Sequence, residues 1–86
     1  MAHSDLSPLS VIARAPFHLY YEGPAERVSA TNKVGNFDIL PGHADFFSVL
    51  NPGNVVIETK TDIVTFSVTN GILAVRGENV MLFVNI

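Results

Sequence analysis

Apolar and polar residues alternate with a period of two along most of this chain, the pattern of strands that bury one face. Leu9, Val11 and Ala13 alternate with Ser10, Ile12 and Arg14 until Pro16 interrupts, and Phe17, Leu19 and Tyr21 then alternate with His18, Tyr20 and Glu22. Gly23-Pro24 is predicted to end that second strand, because both residues enforce turns. Val28 lies between polar neighbours in 25–30, and the polar run from Thr31 to Asn36 is predicted to be an exposed loop, with Gly35 able to take positive φ. Phe37 to Leu40 is a brief apolar segment stopped by Pro41-Gly42. After Ala44 to Leu50 comes a stronger turn signal, Asn51-Pro52-Gly53-Asn54.

Val55–Thr59 and Ile63–Val68 are predicted to form a hairpin through Lys60-Thr61-Asp62, with Val64, Phe66 and Val68 on one face and Ile63, Thr65 and Ser67 on the other. Asn70-Gly71 tolerates left-handed backbone, so Ile63–Val68 is expected to pair across it with Ile72–Arg76. Gly77-Glu78-Asn79 turns the chain into a last alternation, Val80, Leu82, Val84 and Ile86 against Met81, Phe83 and Asn85. No window of ten or more residues repeats apolar positions at helical spacing. The chain reads as all-β, a small antiparallel sandwich or flattened barrel.

Eighty-six residues hold one small domain, not a multidomain enzyme. Charged residues are 15% of the chain, against roughly 25% in typical domains. Two readings fit: an unusually large core, or a surface that other chains partly cover. With no cysteine there is no disulfide framework, thiolate metal site or cysteine nucleophile. The net charge of −3 is spread without a basic stripe, which argues against nucleic acid. The longest apolar run, Val80 to Val84, is far short of the ~20 residues that span a bilayer, and 1–5 carries no signal-peptide pattern.

Candidate chemistry is sparse. His3 falls in a predicted N-terminal tail, residues 1–8, ahead of a domain over 9–86, and His18 is expected on the solvent side of its strand. Asp38, His43 and Asp45 are the nearest thing to a metal-ligand grouping, but they span a Pro-Gly turn without usable spacing. Glu22 and Glu26 straddle Gly23-Pro24 as solvated turn ends. No nucleophile elbow, phosphate-binding glycine loop or dinucleotide fingerprint occurs. No catalytic residue, metal or cofactor is expected, and the lack of converging polar groups speaks against a small lyase or sugar-binding barrel. Phe46 and Phe47, adjacent on a strand, point to opposite faces, so one of them is an interface anchor, unless the segment is irregular and both tuck inward. His43, beside a Pro-Gly turn, fits a structural donor, an exposed residue or a pH-sensitive contact.

One continuous stretch, Gly35 to Gly53, containing Leu40-Pro41-Gly42-His43-Ala44 and Leu50-Asn51-Pro52-Gly53, resembles the characteristic run G-x-F-G-I-L-P-G-H-A-P-L-L-T-x-L-x-P-G of the epsilon subunits of F-type ATP synthases, without insertion. Tyr20-Tyr21-Glu22-Gly23, Phe66 to Arg76 and Asn79 to Val84 resemble that family's flanking segments, so the likeness spans residues 9–86. It implies the family's N-terminal domain, a ten-stranded β-sandwich. Such a domain sits on the central stalk, grips the gamma subunit with one face, touches the c-ring with one end, and couples rotation to ATP synthesis without doing chemistry.

Carried over by position, the resemblance places His43, Phe46, Phe47 and Ser48 on the gamma-facing patch and Lys33, Gly35, Asn36 and Asp38 in the loop aimed at the ring. It implies a non-catalytic subunit, peripheral to the membrane through its complex, on the cytoplasmic face of a bacterial inner membrane or the organellar equivalent. Asp38 stands where the family usually has glycine, Asp45 where it has proline, and Asn36 where an acidic residue is frequent. The sequence stops at Ile86, where family members usually continue into two helices that can inhibit rotation and, in some, bind ATP, so no ATP binding is expected of this chain. The departures leave open a second reading, a stand-alone or fused epsilon-like sandwich serving as an interaction module in another assembly.

Overall fold

The alternation becomes nine β-strands and no helix in the computed structural model, which describes residues 7–86. The strands are β1 (Leu9–Ala15), β2 (His18–Ala25), β3 (Arg27–Asn32), β4 (Gly35–Ile39), β5 (Phe46–Leu50), β6 (Gly53–Glu58), β7 (Ile63–Val68), β8 (Gly71–Arg76) and β9 (Asn79–Val84). They form a five-stranded sheet in the order β2-β1-β9-β8-β5 and a four-stranded sheet in the order β4-β3-β6-β7. The all-β sandwich expected from sequence is therefore present, with nine strands rather than ten. The Pro- and Gly-bearing stretches left between strands, such as Leu40–Asp45, close as turns, here with His43 N–H donating to the Leu40 carbonyl at 3.0 Å. The sandwich is also not wholly antiparallel, because β1 and β9 run parallel side by side. His3 and the predicted tail up to residue 6 lie outside the described residues.

Three local readings are corrected. The polar run 31–36 is a tight hairpin rather than a loop: β3 continues to Asn32 and β4 begins at Gly35, while Asn32 Oδ1 accepts from Val34 N–H at 2.9 Å and Gly35 N–H at 3.3 Å. Gly23-Pro24 does not end β2, which runs on to Ala25, since an edge strand tolerates a proline that has no neighbour to bond. Ile63–Val68 and Ile72–Arg76 do not pair: β7 bonds only to β6, whereas β8 lies between β9 and β5. The chain crosses from one sheet to the other at Asn70, whose carbonyl accepts from Asn85 N–H at 2.8 Å and whose Oδ1 accepts from Ile86 N–H at 3.1 Å.

Between the sheets, alternate residues build an aliphatic core headed by Leu9, Ile39, Ile57, Leu73 and Leu82. A register shift between Ala13 and Arg14 inserts one extra residue opposite β1, so Tyr20 and Tyr21, although consecutive, both pack against that core. Tyr20 stacks on Phe66 of the opposite sheet with ring centroids 4.2 Å apart, and Asn85 Nδ2 donates to its hydroxyl at 3.1 Å. No buried side-chain nitrogen or oxygen among the described residues lacks a partner.

Gly71 is required by close approach. A Cβ there would lie 2.8 Å from Val84 Cγ1 and 2.9 Å from the Phe83 carbonyl oxygen, inside the β8–β9 pairing. Gly71→Ala is expected to lower unfolding free energy by about 1–3 kcal/mol, the usual cost of overpacking, measured as a lower urea midpoint at unchanged m-value.

Candidate functional site

The two outward faces of the sandwich have opposite character. On the five-stranded sheet, register aligns Glu22, Ile12, Met81, Ala74 and Phe47 in one row across β2, β1, β9, β8 and β5, and Leu19, Arg14, Phe83, Ile72 and Val49 in the next. These are the residues out of phase with the core, and eight of the ten are apolar. Phe47 and Val49 are each 64% exposed and Met81 55%, while Ile12, Ile72, Ala74 and Phe83 are half-buried by their neighbours. Contiguous exposed apolar patches larger than a few hundred Å² are uncommon on domain surfaces that nothing covers.

The outer face of the four-stranded sheet is polar. Asp38, Ser29, Val56 and Thr65 share one row, and Arg27, Glu58 and Ile63 the next. Arg27 Nη2 meets Glu58 Oε2 at 2.6 Å and Nη1 lies 3.8 Å from Asp38 Oδ2. The hydrogen bond and charge of Glu58 raise the Arg27 guanidinium above its ordinary pKa. Ser29 Oγ donates to Asp38 Oδ1 at 2.6 Å, and Thr31 Oγ1 to Asn36 Oδ1 at 2.7 Å. Polar side chains here satisfy one another along the sheet.

The expected gamma-facing residues divide between faces. His43 and Phe46 come together, edge to face with centroids 5.6 Å apart, and Phe46 also packs on Phe37 and the core. Phe47 alone enters the apolar outer face. Ser48 turns inward, 9% exposed, and accepts a hydrogen bond from Asn32 Nδ2 at 3.1 Å. Ser48 is thus a link between the sheets, not surface.

The expected ring-facing residues divide likewise. Lys33 and Val34 form the β3–β4 tip, with Val34 90% exposed. Asn36 and Asp38 are instead engaged on the polar sheet face, and Gly35 begins β4. Phe17, at the β1–β2 tip, is fully exposed at the same end of the sandwich, since its hairpin reaches the level of Asn85 and Asn70. The break at Pro16 was legible, but the alternation put Phe17 in the second strand, so its exposed place in the turn was missed. At the opposite end, Asp45 Oδ1 accepts from Gly77 N–H at 2.8 Å, and the Nδ1–H of His43 donates to the Ala44 carbonyl at 2.7 Å. Asp38, His43 and Asp45 are held apart by these separate partners, and the described residues contain no group of three His, Asp or Glu able to hold a metal ion.

Residues 9–86 match the model of the ATP synthase Delta/Epsilon chain beta-sandwich domain. The chain belongs to this family. As a Delta/Epsilon-type sandwich it is 30% identical over 77 residues to the ATP synthase epsilon chain of Synechococcus elongatus, covering 90% of this chain and 56% of that one. It is 35% identical over 66 residues to the epsilon chain of Xanthomonas campestris pv. campestris, covering 76% and 47%. The chain spans about half the length of the curated relatives it matches. Its fold superposes on a chain of the Euglena gracilis mitochondrial ATP synthase OSCP/F1/c-ring structure with TM-score 0.83 at 15% identity, covering 91% of this chain and 51% of that one. A chain of the Tetrahymena thermophila mitochondrial ATP synthase central stalk and c-ring gives 0.76 at 22%, covering 92% and 64%.

Because Phe47 and Met81 of this Delta/Epsilon-type domain lie outside its core, the double variant Phe47→Asp/Met81→Asp is expected to stay folded, losing no more than about 2 kcal/mol of urea stability, the scale of two unfavourable strand residues. It should at the same time bind far less of a hydrophobic dye, read as lost fluorescence enhancement.

Proposed function

We propose that this domain is a non-catalytic module of the central stalk of an F-type ATP synthase, docked on the gamma subunit by the outer face of its five-stranded sheet. The apolar rows from Ile12 to Val49 carry this reading, since they form a surface that the described residues leave uncovered. Phe47 and Met81 are the exposed anchors of the contact, while His43 and Phe46 brace the start of β5 behind it. The neighbouring structures, taken from central-stalk and c-ring assemblies, support the same assignment.

The end that carries Lys33, Val34 and Phe17 faces the c-ring. One cation and two exposed apolar residues on tight hairpins suit contact with the polar loops of a membrane ring. Torque then passes through a sandwich in which, among the described residues, every buried side-chain nitrogen and oxygen has a partner, with no chemistry and no bound nucleotide in the domain. The domain is peripheral to the membrane through this complex, on the cytoplasmic face or its organellar equivalent.

Co-purification tests the gamma contact. Phe47→Asp/Met81→Asp should weaken capture of the cognate gamma subunit by at least about thirtyfold, the scale of one interface hot spot, whereas Thr65→Asp on the polar face should leave it unchanged. Equal capture by the wild type and both variants would refute the assignment. For the ring, Lys33→Cys is expected to form short-range crosslinks to the c-ring in the assembled enzyme, and Lys60→Cys, at the opposite end, is not.

A further inference from the structure

Among the described residues, no strand pairs with the outer edge of the five-stranded sheet at β5. The parity of the ladder is fixed at both ends of β8: Asn85 N–H bonds the Asn70 carbonyl at 2.8 Å, and a two-residue turn at Gly77-Glu78 joins Arg76 to Asn79. In an antiparallel ladder residues alternate between bonding one neighbour and the other. Asn70, Ile72, Ala74 and Arg76 therefore bond toward β9, and Gly71, Leu73 and Val75 bond toward β5, opposite Leu50, Ser48 and Phe46. Phe47 and Val49 are left with their N–H and C=O groups aimed away from β8, where the sheet ends. Among the described residues, only the Ser48 hydroxyl reaches these groups, donating to the Val49 carbonyl at 3.2 Å.

The other edges are blunted in the ways proteins protect open strands. β2 has a bulge, Glu22 and Pro24. β4 carries the charged Asp38. β7 is capped at Ser67, whose carbonyl accepts from Asn85 Nδ2 at 3.1 Å, and Tyr20 stacks over its Phe66. β5 has no charge, no proline and no bulge from Phe46 to Leu50, and its two edge-facing residues are the most exposed apolar positions of the docking face on that strand.

We propose that the partner covering this face also adds an extended segment to β5, so that the sheet continues across the interface. The inference rests on the gamma-docking reading and specifies its recognition mode. Roughly three residues of the partner, in extended conformation and with apolar side chains at alternate positions, would pair with the backbone of Phe47 and Val49 while their side chains lie against the apolar rows. Backbone pairing fixes register and direction, which an apolar face alone leaves loose.

Residue-resolved amide exchange on the chain, free and bound to its gamma subunit, tests this. The Phe47 and Val49 amides should exchange rapidly in the free chain and slow at least tenfold in the complex. Val49→Pro removes one edge donor without touching the β8 ladder and should weaken gamma binding at least tenfold, against at most threefold for Val49→Ala, which keeps the N–H. Complex formation with unchanged exchange at both amides overturns strand addition and leaves the docking reading standing. No complex at all overturns both. If Val49→Pro fails to fold, the exchange measurement on the wild-type chain decides alone.

Discussion

The first strand lies parallel against the last, and the sandwich depends on that contact. β9 can sit between β1 and β8 only because residues some seventy positions apart pair from Ser10–Asn79 to Arg14–Phe83. Without it the five-stranded sheet would fall into the β1–β2 hairpin and a three-stranded piece, β9-β8-β5, and neither alone would cover Leu9, Val11, Val80 and Leu82. The cost is kinetic, because a parallel pair of distant strands closes a long loop before it gains contacts. The same pairing brings Ile12 beside Met81 and Arg14 beside Phe83, so the core and the outer apolar rows are produced together.

How much of this was legible follows from which information each feature needs. Strand positions came from alternation, which is local, and most hold within a residue or two. Partners needed more. Asn70-Gly71 has the chemistry of a hairpin turn, yet Asn70 spends its carbonyl and side chain on Asn85 and Ile86, and the chain changes sheet. The run Thr31 to Asn36 looked like a loop by polarity. It pairs because the outer face of that sheet is itself polar, so Thr31 and Asn36 are cross-strand partners. The nature of the Tyr20 and Tyr21 pair needed the bulge opposite Ala13 and Arg14, which no alternation reveals.

The candidate site was half legible for the same reason. Phe46 and Phe47 could be assigned to opposite faces from adjacency, and the structure sends Phe46 to the core side and Phe47 outward. Ser48, carried over as surface by position, shares the phase of Phe46 and is therefore inside. Ile12, Ile72, Ala74, Met81 and Phe83 were visible only as the minor phase of three separate strands. Register, a property of pairs of strands, is what turns them into one face.

The low charge content also acquires a cause. Neither a large core nor coverage by itself is sufficient: one outer face meets water through Ser, Thr and Asn with a single Arg27-centred charge cluster, and the other is apolar. Burying the apolar rows would contribute about 25 cal/mol per Å² of area removed from water, from which the cost of fixing two bodies together must be subtracted. Area alone gives adhesion without orientation. A module that transmits rotation needs resistance to sliding along its own face, and hydrophobic contact, being non-directional, supplies little of it. Directional groups must lie at the border of the face, and the outward-facing backbone of Phe47 and Val49, which no described strand pairs, is where this sheet offers them.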